Sequence, residues 1–126
     1  MSDADKRLSR LQQVAGMMAD QALQPVAAAT AEVRRIEAKI AEIAAHRTKL
    51  AAATDDPTIA GAMLAQAERL RIKQAAALSE LATARVHLDA IRREAAQAVG
   101  RDHALTALAD KRKQAADLEI RRRALR

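Results

Sequence analysis

Residues 47–57 read Arg47-Thr48-Lys49-Leu50-Ala51-Ala52-Ala53-Thr54-Asp55-Asp56-Pro57, and the last three decide the fold. A proline pushes the residue before it out of the helical region. Asp as N-cap followed by Pro as first helical residue is, conversely, a good helix start. The stretch therefore ends one helix near Ala52, leaves a turn at about 53–56, and begins a second helix at Pro57. With three glycines and two prolines in 126 residues, the chain has little else from which to build turns, so its elements must be few and long.

Upstream of the turn, Leu8, Leu11, Ala15, Met18, Ala22, Val26, Ala29, Val33, Ile36, Ile40, Ile43 and Leu50 recur at spacings of three and four, and Arg47 takes the one polar seam position. That is the pattern of a coiled-coil seam. Ser2 with Asp5 three residues on resembles a capping box with Asp in place of Glu, so helix 1 is expected over about 3–52. Downstream, Ala67, Leu70, Gln74, Ala77, Leu81, Ala84, Leu88, Ile91, Ala95, Ala98, Asp102 and Leu105 form a second seam, followed by Leu108, Ala115, Leu118 and Leu125. Helix 2 is expected over about 57–125.

Composition agrees with this reading. Of the 63 apolar residues 34 are alanine, and there is no Phe, Tyr or Trp. Without rings an ordinary globular core is excluded, whereas alanine is the best helix former. A connection this short returns the second helix alongside the first. The expected fold is all-α, one domain over 1–126 made of two long helices in an antiparallel coiled-coil hairpin, with the C-terminal helix overhanging.

A turn centred on Asp55 and Asp56 sets side by side residues whose numbers total about 111, so Asp3 is expected beside Leu108. At 1.5 Å per residue the paired rod is roughly 75 Å long and the overhang roughly 25 Å. From Lys111 to Arg126 that overhang holds Lys111, Arg112, Lys113, Arg121, Arg122, Arg123 and Arg126 against Asp117 and Glu119, which is +5 of the total +6. Leu118, Ile120 and Leu125 lie within the basic run, and apolar residues amid like charge suit docking on an acidic surface.

Two positions interrupt the pattern. Pro25 removes a backbone hydrogen bond within helix 1, where the seam spacing reads four, four, three through Met18, Ala22, Val26 and Ala29; a kink or local unwinding is expected there. Gly100 costs about 1 kcal/mol against Ala in a helix, and marks either a close helix approach or a hinge.

Catalysis has little to stand on. His46, His87 and His103 fall beside Ala65, Gln24 and Leu8 in the expected register, too far apart to share a metal. No Gly-rich phosphate loop is present, and two helices enclose no pocket that would separate carboxylate pKa values. No catalytic, cofactor-binding or metal-binding residue is expected. Nucleic acid is a weaker fit than protein, because the basic tail has no aromatic residues for base stacking and the chain has no Asn for adenine recognition. The lack of cysteine fits a reducing compartment. The polar start Met1-Ser2-Asp3-Ala4-Asp5-Lys6-Arg7 and the charges interrupting every apolar stretch lead to the expectation of a cytoplasmic protein without membrane insertion.

The segment Ala98-Val99-Gly100-Arg101-Asp102-His103-Ala104-Leu105-Thr106-Ala107-Leu108-Ala109-Asp110-Lys111-Arg112 lies late on the second helix of such a hairpin. In that setting it resembles the FliJ family of flagellar type III export stalk proteins, which are similar to the YscO-type proteins of injectisomes. The residues that carry the likeness are Arg101, Ala104, Leu105, Leu108, Lys111 and Arg112. Motif-level similarity covers about fifteen residues and the architecture covers the rest.

The resemblance implies a non-enzymatic stalk, peripheral to the inner-membrane export apparatus, standing in a hexameric export ATPase and reaching the export-gate membrane protein. It implies ATPase contact by Lys6, Arg7, Arg10, Lys111, Arg112, Lys113, Leu118, Arg121, Arg122, Arg123 and Leu125. Gate contact would map onto Met63, Leu64, Ala67, Leu70 and Gln74, where the family often has aromatics and this chain has none. Export chaperones are further partners it implies. The alternatives are a cytoplasmic export chaperone or adaptor, expected to present an exposed apolar groove, and a basic coiled-coil nucleic-acid-binding protein.

Overall fold

The computed structural model describes residues 2–52 and 56–126, and it is all-helical, with two helices that pack against each other. Helix α1 spans Asp3–Ala51 and α2 spans Pro57–Ala124. Both starts follow from local chemistry. The Asp5 N–H donates to Ser2 Oγ at 3.2 Å, which is the first half of the expected capping box. At α2, Asp56 Oδ1 accepts from the Thr58 N–H at 3.0 Å and from the Thr58 hydroxyl at 2.6 Å. The Asp56 carbonyl accepts from the Ala60 N–H at 3.0 Å, so Asp56 is the N-cap and Pro57 the first helical residue. The expected turn residues Ala53, Thr54 and Asp55 lie outside the described residues.

The contacts divide the chain into two compact units. Unit 1 takes the chain up to Val26 and from Ile91 onward; unit 2 is Ala27–Ala90. In unit 2, Ala29, Val33, Ile36 and Ile43 are buried on α1, with Ile40, Arg47 and Leu50 half-buried between and after them. On α2 the matching residues are Leu70, Ala77, Leu81 and Leu88, with Ala60, Met63, Ala67, Gln74 and Ala84 half-buried. Ile43, Leu70 and Ala77 form one buried cluster, flanked by Ile40 and Leu50.

In unit 1, Leu8, Ala15 and Ala19 are buried on α1, and Gln12, Ala22 and Val26 half-buried. Ala95 is buried on α2, and Ile91, Ala98, Asp102, Leu105 and Ala109 are half-buried. Here the structure corrects the sequence reading. Leu11 is 55% exposed and Met18 48% exposed, whereas Ala19 is 4% exposed. The strict alternation of three and four runs through Gln12 and Ala19, so phase overrides the larger apolar side chains beside them. Arg47 is consequently not the one polar seam position of α1, since Gln12 is another. The spacing through Ala15, Ala19, Ala22 and Val26 is undisturbed near Pro25, which lies exposed within the continuous α1.

The register also differs from expectation. In unit 2, Glu37 pairs with Arg85 at 3.6 Å, Lys39 with Glu80 at 3.9 Å, and Arg47 Nη1 donates to Gln74 Oε1, the α2 number falling as the α1 number rises. In unit 1, Asp5 pairs with Arg112 at 3.1 Å, and a Cβ built on Gly16 would lie 3.8 Å from Asp102 Oδ1. The expected register would have set Ile43 against Glu68 and Ile36 against Ala75, neither of them a seam residue. Two seams bury apolar surface only when they face each other, and that requirement outweighs symmetry about the turn.

Gly100 is not a close-approach glycine. A Cβ there would meet nothing within 4 Å, and no glycine has a positive φ. Gly100→Ala is therefore expected to stabilise the chain by about 0.5–1 kcal/mol through backbone entropy alone, read as a raised thermal midpoint; a lowered midpoint would reveal a contact at this position.

Acid should act on both helix starts. The Ser2 hydroxyl, followed by the charge of Arg112, holds the Asp5 carboxyl below the ordinary range. The Thr58 hydroxyl and N–H do the same for Asp56. Because both native values are lowered, their stabilisation is complete above the unfolded Asp value of about 3.9 and is lost as pH falls through the lower native values. Asp56→Asn keeps a capping oxygen and should flatten part of this acid limb in a helicity-against-pH titration.

Candidate partner-binding surfaces

The basic end of α2 is built by exhaustion of the seam. Ala109 is its last half-buried seam residue, and one turn later Arg112 reaches Asp5. From Lys113 onward every side chain is exposed except the half-buried Glu119, while the helix continues to Ala124. The unpaired stretch thus begins about a turn later than the expected Leu108, which is itself 47% exposed. Residues 113–126 contain five cations against Asp117 and Glu119, a net +3 rather than +5.

Within this stretch Leu118 is 49%, Ile120 64% and Leu125 89% exposed. Arg123 Nε lies 3.4 Å from Glu119 Oε1 one turn back, an exposed pair that contributes little to stability. Arg121 and Arg122 hold no ion pair among the described residues. Lys6, Arg7 and Arg10 are exposed on α1, and Lys111 and Lys113 on α2. Arg112 differs from the other basic candidates because a carboxylate of the other helix, that of Asp5, engages it. The end can therefore present cations and three aliphatic side chains to an acidic surface.

The candidates for gate contact separate into two groups. Met63, Leu64, Ala67 and Gln74 line an open groove of about 590 Å³ with Ala44, Arg47 and Leu50. Leu64 is 72% exposed, but Leu70 is 4% exposed and part of the buried cluster, and Gln74 is occupied by Arg47. Leu70 and Gln74 therefore hold the helix pair together. His87 is placed differently from expectation too: it shares a shallow groove with Glu32 and Thr83, not with Gln24. Among the described residues no group of three His, Asp or Glu side chains could hold a metal.

Sequence reasoning missed one surface. Leu11, Val14, Ala15 and Met18 of α1 line an apolar groove of about 410 Å³ with Ala98, Arg101, Ala104 and Leu105 of α2. Its signal was present, because assigning Leu11 and Met18 to the seam consumed two residues that the strict alternation leaves outside. No protein-family profile, curated protein or solved structure matches the chain.

The half-buried Arg47 head depends on its amide partner. Gln74→Ala should cost about 1 kcal/mol in urea denaturation by stranding that charge. Replacing both by leucine should instead raise the midpoint while broadening the choice of register and oligomer, seen as multiple species in sedimentation velocity. An unchanged midpoint in Gln74→Ala would remove the pair from the seam.

Proposed function

We propose that the two helices form an antiparallel hairpin that serves as a non-enzymatic stalk, cytoplasmic and peripheral to a membrane export apparatus. Its basic α2 end engages a hexameric export ATPase, and the early part of α2 contacts an export gate. The observation that carries this reading is the continuation of α2 beyond its last seam residue as a basic helix with exposed Leu118, Ile120 and Leu125. A helix that runs past its partner, with like charge and apolar side chains together, is suited to an acidic protein socket. The likeness of Arg101, Ala104, Leu105, Leu108, Lys111 and Arg112 to the FliJ pattern names the kind of socket. That no helix among the described residues is long and apolar enough to cross a membrane agrees with a peripheral part.

The gate contact falls to Met63, Leu64 and Ala67, because Leu70 and Gln74 are spent on the helix pair. A second reading, an adaptor or chaperone for export substrates, is favoured by the apolar groove at Leu11 and Met18.

The triple variant Arg121→Glu, Arg122→Glu, Arg123→Glu should weaken binding to the ATPase by more than about tenfold while leaving helicity intact, because exposed charges contribute little to folding. ATPase binding and stimulation that survive both this reversal and deletion of residues 113–126 would overturn the stalk reading. Binding to duplex DNA instead, with log affinity falling against log salt at a slope of about 0.9 per phosphate neutralised, would make the end a nucleic-acid contact.

A further inference from the structure

Unit 1 carries an apolar stripe that its own seam does not use. Leu11, Val14 and Met18 step by three and four along α1, one residue ahead of Gln12, Ala15 and Ala19. They are exposed at 55%, 53% and 48%, yet they line one groove with Ala98, Ala104 and Leu105 of α2. Leu11 to Met18 covers two turns, roughly 10 Å of helix. A groove of that length between two parallel ridges fits the apolar face of a third helix.

Charge decides between a second copy and another protein. The α1 row through Leu11, Val14 and Met18 begins with Arg7, and the α2 row through Ala104 and Leu108 holds Arg101 and Lys111. Glu94 is the acid in those rows. Arg7, Arg101 and Lys111 have no ion pair among the described residues. Unit 1 has 13 Lys and Arg against 8 Asp and Glu, so it carries +5 of the chain's +6. A second copy seated on this groove would bring two such faces together, and like charge across an interface opposes association.

We infer that the groove between Leu11, Val14 and Met18 on α1 and Ala98, Ala104 and Leu105 on α2 docks an amphipathic partner helix flanked by carboxylates, which Arg7, Arg101 and Lys111 receive. This site lies outside residues 113–126, shares Arg7 and Lys111 with the basic candidates above, and deepens the adaptor reading rather than the stalk reading.

The test uses the full chain and a panel of fluorescein-labelled helical peptides with Leu, Ile or Met at i, i+3, i+4 and i+7. Each peptide is made in a Glu-flanked and a Lys-flanked form. Glu-flanked peptides should raise anisotropy on binding, with Lys-flanked forms weaker by about tenfold or more and the preference reduced at about 0.5 M salt. Leu11→Gln with Met18→Gln should weaken binding about tenfold. Arg101→Glu, which leaves Leu11, Val14 and Met18 in place, should narrow the flank preference by taking the three cations from +3 to +1. The triple reversal at Arg121, Arg122 and Arg123 should leave binding unchanged, so failure here is distinguishable from failure of the stalk proposal.

Absence of binding by every peptide, or binding insensitive to both variants at unchanged helicity, would overturn the inference. So would a dimer in sedimentation equilibrium that Leu11→Gln with Met18→Gln converts to monomer, because a second copy would then cover the groove.

Discussion

Burial here depends on one meeting, that of a seam with a seam. Each helix offers a single strip at alternating steps of three and four, with no aromatic residue to reach beyond it. An error in rotational phase would turn that strip to water. The flanking polar contacts agree with the same alignment, since Glu37–Arg85 and Lys39–Glu80 start from the stretch between Ile36 and Ile40. These exposed pairs contribute little stability themselves. Arg47 with Gln74 is more informative, because a half-buried guanidinium admits fewer neighbours than an apolar residue does and so narrows the registers available.

The same device is applied with unequal strength in the two units. Unit 2 fills its seam with Val33, Ile36, Ile40 and Ile43 against Leu70, Leu81 and Leu88. Burying such a side chain is worth about 1.5–3 kcal/mol, whereas a methyl group contributes about 0.8 kcal/mol. Unit 1 has Leu8, Val26, Ile91 and Leu105 towards the ends of its seam, but Ala15, Ala19 and Ala22 between them on α1, with Ala95 and Ala98 opposite and the polar Gln12 and Asp102 among them. It is the less firmly held of the two, and such regions supply the surfaces that partners use. Leu11 and Met18 lie one step off that strip, so they stay outside the contact and remain available.

What the sequence made legible was whatever is encoded within a few residues. Ser2 with Asp5 and Asp56 with Pro57 mark the helix starts because capping is local chemistry, and both positions agree with the structure. Register was not legible in that way. It depends on matching two strips some tens of residues apart, and symmetry about the turn carries no information on their phase. Ranking residues by apolarity misassigned Leu11 and Met18 for a related reason: the strip is defined by rotation, so Gln12 and Ala19 belong to it despite being less apolar. Among the candidate contacts, the basic residues were legible as exposed because charge keeps them so. Leu70 and Gln74 were not separable from Met63 and Leu64 until burial divided them.

An isolated helix as short as residues 113–124 is marginal in water because its nucleus is costly. Here the paired part of α2 supplies the nucleus, and the extension needs only propagation. Arg121, Arg122 and Arg123 in the last turn complement the helix dipole, and Arg123 with Glu119 adds an i,i+4 pair. Repulsion among three adjacent arginines opposes these gains only weakly, since consecutive residues point about 100° apart around the helix. A partner engaging the extension, as proposed, would therefore meet it already shaped, with less ordering entropy to lose on binding than a disordered basic tail would have.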